Sequence, residues 1–257
     1  MIIVEEGRPD DPCLQSGHSP FFQIMNSVFI YHHLGLGDHI ICNGLVRELV
    51  VRENADIAYL PVKHHNMNSV TRMYGDDRRI ACVPVAHDAE VPNLPQVATG
   101  ICQTVYRVGF EKCRSDWDVS FYDSVGVPFE KRWTSFKCHR DVGREAKLES
   151  IVNPDNEPFI LVHDTTSTGR YAFETRKDVK VIRVVPIDTA DGWNGCLIDW
   201  CGLIDKAVEV HCVDSSLIHL CASLGRSGVF RDFGRGAAWG GRFVLPSSWH
   251  VIAEKQG

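Results

Sequence analysis

Twice along the chain, short apolar runs alternate with stretches in which apolar residues recur at helical spacing. Few folds satisfy that pattern. The first series predicts a strand at "SVFIYHH" (27–33), a helix at "HIICNGLVRELVVRE" (39–53), a strand at "DIAYLPV" (56–62), a helix in "NMNSVTRMYG" and a strand at "RRIACVPV" (78–85). Ile40, Ile41, Leu45 and Leu49 share one face of the first helix. Strands separated by helices favour parallel pairing, because the covering helix carries the chain back to the starting edge.

"NPDNEP" (153–158), with two prolines and turn-forming Asn and Asp, interrupts the pattern. The alternation then restarts. Strands are expected at "FILVHD" (159–164), "VKVIRVV" (179–185), "VEVHCVD" (208–214) and "SGVFRDF" (227–233). Helices are expected at "CLIDWCGLIDKA" (196–207) and "SSLIHLCASLG" (215–225), the latter ending with Gly225 as its C′ residue. The chain thus reads as two small α/β halves joined near residue 153. Residues 86–140 resist assignment. They hold Pro92, Pro95 and Pro128, a strand signal at "QTVYRV" and an acidic-aromatic segment, "SDWDVSFYDSVGVPF".

Composition narrows the function. A net charge of −6 with no basic stripe argues against binding nucleic acid through its phosphates. No apolar run approaches the roughly 20 residues that cross a bilayer. "MIIVEEGRPDDP" lacks the basic and apolar regions of a signal peptide, so a cytoplasmic protein is expected. The ten cysteines include no CxxC pair, and Cys201, Cys212 and Cys221 lie in apolar surroundings. They are expected to be buried free thiols rather than zinc ligands. Neighbouring histidines on a strand point to opposite faces, so neither His32–His33 nor His64–His65 chelates as a pair.

"HHLGLGDHI" follows the first strand. Gly35 and Gly37 match the first two glycines of a dinucleotide fingerprint, but Ile40 holds the third position and Lys63 stands where the ribose acid is expected. No GKS or GKT follows, which excludes a P-loop. Asp38 is either a plain helix cap or a carboxylate at the ligand-binding edge of the sheet, suited to taking a proton from a hydroxyl.

In the second half, "HDTTSTGR" places Thr165, Thr166 and Arg170 after a strand. Hydroxyls and a guanidinium there suit phosphate oxygens, though a solvated loop has the same composition. "VDSSLIHLCASLG" puts Asp214 at a strand end, Ser215 and Ser216 at a helix start, and His219 in its first turns. The free amides of such a start attract anions. Asp214 as a cap and His219 as a packed core residue are the alternatives.

Together these stretches resemble glycosyltransferase family 9, which includes the lipopolysaccharide heptosyltransferases and has the GT-B fold. The family has a small-residue turn with "GD" before its first helix, and this chain has "GLGDHI". It has a strand followed by hydroxyls and a basic residue, and this chain has "HDTTSTGR". Its late signature runs roughly "DSGxxHLAxALG", and this chain has "DSSLIHLCASLG". The resemblance covers about residues 27–230. Two departures stand out: the chain is shorter than the family's usual length, and Arg170 replaces the usual lysine.

The resemblance implies an α/β fold of two Rossmann-like parallel-sheet halves with a cleft between them. Residues 1–152 would form the acceptor side, and 153–257 would bind the nucleotide sugar. It implies transfer of a sugar, with inversion, from a nucleotide-diphosphate donor to a hydroxyl of a carbohydrate or glycolipid acceptor. Asp38 would be the general base and Arg170 would stabilise the leaving group. The donor- or phosphate-binding set would be Gly35, Gly37, Thr165, Thr166, Asp214, Ser215, Ser216 and His219, with Asp188 or Asp191 at the ribose. No cofactor is required, and a divalent metal is allowed but not expected. A glycolipid acceptor would bring peripheral membrane contact. The alternatives are a nucleotide-sugar epimerase or hydrolase on the same fold, and a non-catalytic binder of sugar nucleotides or carbohydrate.

Overall fold

The structure is a computed structural model that describes residues 25–94, 102, 104–109, 116–190, 192–235, 241 and 243–254. Strands β1 (Ser27–Tyr31), β2 (Ile57–Lys63), β3 (Ile80–Val85) and β4 (Thr104–Arg107) form a first sheet in the order β3-β2-β1-β4. A second sheet uses β5 (Phe159–His163), β8 (Lys180–Arg183), β9 (Glu209–Cys212), β10 (Val229–Asp232) and β11 (His250–Ala253), in the order β11-β10-β9-β5-β8. Between β5 and β8, the short strands β6 (Thr165–Thr166) and β7 (Gly169–Arg170) make an antiparallel hairpin.

Every ladder in the two larger sheets is parallel. All five residues of β1 are buried, which is why its sequence is apolar without alternation. The expected fold class, two Rossmann-like parallel-sheet halves, is the one observed. The strand orders also locate the ligand edges. The chain leaves β1 for β2 on one side and returns with β4 on the other. It leaves β5 for β8 on one side and returns with β9, β10 and β11 on the other. Crevices open at the carboxyl ends of strands where such reversals occur.

Helices cover the sheets: α1 (Leu36–Ile41), α2 (Asn43–Arg52), α3 (Met67–Met73), α4 (Trp117–Ser124), α5 (Lys131–Thr134), α6 (Val142–Val152), α7 (Cys201–Lys206) and α8 (Ser216–Ser223). The helix expected over 39–53 begins earlier, at Leu36, and breaks into two at Cys42. Gly44 then lets α2 cross α5 closely, since a Cβ there would collide with the Lys131 carbonyl. The helix expected over 196–207 opens as a 3-10 turn at Leu197–Trp200. Gly225 has φ +76° and ends α8 as the expected C′ residue, with Arg226 N–H reaching back to the Cys221 carbonyl.

One apolar core runs through both halves, from Val28 and Leu45 to Leu217 and Trp249. Helix α1 packs on α8 across the division, and α6 packs on α7. Arg140 and Arg144 add ion pairs to Asp205 and Asp199. Cys42, Cys201, Cys212 and Cys221 are buried free thiols, as expected. Among the described residues, no helix is long and apolar enough to cross a membrane.

Candidate active site between the two sheets

The turn after β1 meets the start of α8, and Arg235 ties the hairpin after β5 to the chain just before that helix. Gly37 touches the meeting point. A Cβ on it would lie 3.0 Å from His219 Cδ2 and 3.7 Å from Ser216 Cα, so the backbone of α1 approaches α8 with only a hydrogen between them.

Asp38 is not the helix cap. Gly35 takes that position with extended backbone, and Asp38 is the third residue of α1, its carboxylate reaching back to the Gly35 amide. A Cβ at Gly35 would lie 2.5 Å from Asp38 Oδ2, so the glycine makes room for the carboxylate. Burial pushes Asp38 up to about 7. The Gly35 amide opposes the shift, the charge of Asp214 adds to it, and Lys63 opposes it weakly. Lys63 itself is paired with Asp88 at 2.6 Å. A carboxyl group that titrates near neutrality is matched to proton transfer at neutral pH.

Asp214, two residues past the end of β9, is also raised, chiefly by burial. Ser215, and not Asp214, caps α8. Its hydroxyl turns away from the helix to His163 Nδ1, 2.6 Å away, so the cap's own side chain leaves the first-turn amides at Ser216 unbonded. Burial holds His163 down at about 4, which leaves it neutral at pH 7.

Arg170 is 62% exposed on β7, and its Nε and Nη2 both donate to Asp164 Oδ2 at 3.0 Å. Arg183 donates to the same oxygen at 3.1 Å. Burial alone would raise Asp164, but the two guanidiniums and the Thr165 hydroxyl bring it below the usual range. Thr166 bonds Thr168 at 2.9 Å within the hairpin. Arg235 lies across the opening, with Nη1 on the Asp214 carbonyl at 2.7 Å and Nη2 on the Ser167 hydroxyl at 3.0 Å.

His219 is a packed residue at the interface. Its ring meets Phe243 and Trp117 edge-on, at 4.6 and 6.3 Å between centroids. Its Nδ1 lies 3.3 Å from Nη2 of Arg132, a fully buried arginine on α5. Arg132 pairs with buried Asp118 of α4, and both groups bond the backbone of Val244. Asp118, Arg132, Asp164, Arg183 and Arg235 were not singled out from sequence. Arg183 carried a signal, being a charge inside the apolar run "VKVIRVV".

Beside Asp214 a cavity of 330 Å³ opens, walled by Asp232, Phe230, Phe243 and Trp249. Asp188 sits on an exposed turn bridged to Asn194, and among the described residues no side-chain bond ties it to the cleft. Asp191 lies outside the described residues. Among those residues no group of three or more His, Cys, Asp or Glu is arranged to hold a metal ion.

No protein-family model matches the sequence, and no curated protein matches it. Solved structures do match its fold. The chain is similar to a glycosyl transferase of family 9 from Veillonella parvula at 10% identity and a TM-score of 0.53, over 90% of this chain and 86% of that one. It is similar to the ADP-heptose lipopolysaccharide heptosyltransferase II of E. coli at 12% identity and a TM-score of 0.56, over 90% and 91%. The iron-containing dodecameric glycosyltransferase TibC of enterotoxigenic E. coli matches at 11% identity and a TM-score of 0.54, over 91% and 64%. This chain shares the two-sheet fold of family 9 glycosyltransferases.

Proposed function

We propose that the chain is a glycosyltransferase that moves a sugar from a nucleotide-diphosphate donor to a hydroxyl of a carbohydrate or glycolipid. One observation supports the reading: at Gly37 the Asp38 turn of the first sheet meets Ser216 and His219 of the second, so the carboxylate proposed as base lies beside the helix start proposed for the anion.

In this reading Asp38 takes the proton of the acceptor hydroxyl as that oxygen attacks the anomeric carbon. The bond from that carbon to the diphosphate oxygen breaks, and attack from the opposite side inverts the centre. Negative charge then grows on the departing diphosphate. Arg170, the Thr165 and Thr166 hydroxyls and the amides at Ser216 are the groups that meet it. The cavity beside Asp214 takes the sugar ring, whose hydroxyls donate to carboxylate and whose apolar face meets Phe243 or Trp249. The nucleotide is gripped by the second half and the acceptor by the first, with no metal step.

Thermal denaturation against nucleoside diphosphates and their sugars tests this, because a ligand of the folded state raises the melting temperature. One nucleotide is expected to stabilise both the wild type and Asp38→Asn, while sugar transfer from that donor is lost only in the variant. Equal transfer by both proteins removes Asp38 as the base. No shift across the panel removes the donor site.

A further inference from the structure

We infer that Arg183 and Arg235 join Arg170 in a cradle of three guanidiniums for the donor's diphosphate, with Arg235 transferring its hydrogen bonds from protein to phosphate; this rests on the transferase reading.

The three arginines come from three strand ends. Arg170 follows β5, Arg183 ends β8 and Arg235 follows β10. Asp164 holds the first two by a single oxygen, Oδ2, while both remain exposed, at 62% and 47%. Arg235 spans the two segments that flank the reversal in the second sheet, the β6–β7 turn at Ser167 and the loop after β9 at Asp214.

The partners of Arg235 separate it from Arg176 and Arg231. Arg176 is paired with Asp178 and Glu209, and Arg231 with Glu254. Arg235 donates to a backbone carbonyl and a hydroxyl, both neutral, and among the described residues its buried Nε has no acceptor. Exchanging two neutral acceptors for phosphate oxygens turns ordinary hydrogen bonds into charge-assisted ones, which are about twice as strong. Arg170 and Arg183 share the one Asp164 carboxylate and so leave one positive charge, while Arg235 lies in the field of the Asp214 carboxylate.

Calorimetric titration of the full chain with inorganic pyrophosphate and with orthophosphate tests the cradle. Wild type, Arg183→Gln, Arg235→Gln and Arg235→Lys are compared, and the unliganded melting temperature of each is checked. Pyrophosphate is expected to bind more tightly than orthophosphate. Each glutamine variant should weaken pyrophosphate about tenfold or more, with Arg235→Lys intermediate. If Arg235→Gln does not fold, Arg183→Gln and the lysine variant decide. Pyrophosphate affinities equal to wild type in the variants, or no preference over orthophosphate, overturn the cradle even if sugar transfer is observed. Loss in the variants without transfer from any donor leaves the cradle standing and removes the transferase reading.

Discussion

The Arg132 guanidinium donates to His219 Nδ1 at 3.3 Å, and an arginine has only donors to offer. The imidazole must therefore accept at Nδ1. Burial and the charges of Arg132 and Arg235 hold its pKa well below the usual value, so it is neutral and its proton resides on Nε2. That nitrogen lies on the Gly37 side, 3.6 Å from where a Cβ on that glycine would be. A buried ion pair of the first half thus sets the tautomer of a ring in the second.

Breaking that pair by halves is costly. Arg132→Met leaves the fully buried Asp118 carboxyl without its cation and bonded to amides, and should destabilise the fold by about 3–5 kcal/mol. Adding Asp118→Leu should recover most of the loss, because an apolar pair needs no desolvation. Urea denaturation of the single and double variants checks this. A double variant as unstable as the single one would show that the Val244 bonds matter more than the charge.

Asp38 exchanges stability for a proton-accepting carboxylate. Its folded value of about 7 lies above the roughly 3.9 of an unfolded chain, so the fold favours the protonated form. That stability is complete below pH 4 and is lost as the pH rises through 7. Asparagine keeps it at every pH. Asp38→Asn should match wild type in melting temperature near pH 4 and exceed it above pH 7, in a series of thermal scans from pH 4 to 9. A variant less stable than wild type at pH 8 would contradict the burial of this carboxylate.

If Asp38 is the base, kcat/KM for transfer should climb about tenfold per pH unit on the acid side and level off above about 7. Initial-rate profiles with a saturating second substrate would show the bend. A flat profile from pH 5 to 8 would point to another proton acceptor.

Gly44 offers a test of packing with an inverted sign. Glycine to alanine inside a helix ordinarily gains about 1 kcal/mol. Here the added methyl group meets the Lys131 carbonyl, which is backbone and cannot swing aside. Gly44→Ala should therefore lose about 1–3 kcal/mol by chemical denaturation.

Much of this arrangement was legible in the sequence, and what was not has a physical cause. The strands were readable because both faces of β1 and β5 are covered, which demands unbroken apolar runs. Asp38, Arg170, Asp214 and Ser215 stood out because each follows such a run. The segment from 86 to 140 stayed opaque because α4 and α5 are too short to show a helical period, with eight and four residues. Within it, Asp118 and Arg132 look like ordinary surface charges. Only the fold reveals that they lie at zero exposure, against Val244 and a histidine far along the chain. β11 escaped notice for a related reason. It is an edge strand whose residues are mostly exposed, so its sequence need not be apolar.

The Asp118–Arg132 pair also bears on the order of synthesis. A ribosome releases both residues more than a hundred positions before Val244, whose amide and carbonyl complete their bonding, and well before His219. Until then the first half carries a charge pair that water must solvate, in a place the finished fold keeps dry. The bonding of this pair is complete only once residues of the second half are in place, so the first half cannot reach its final packing by itself.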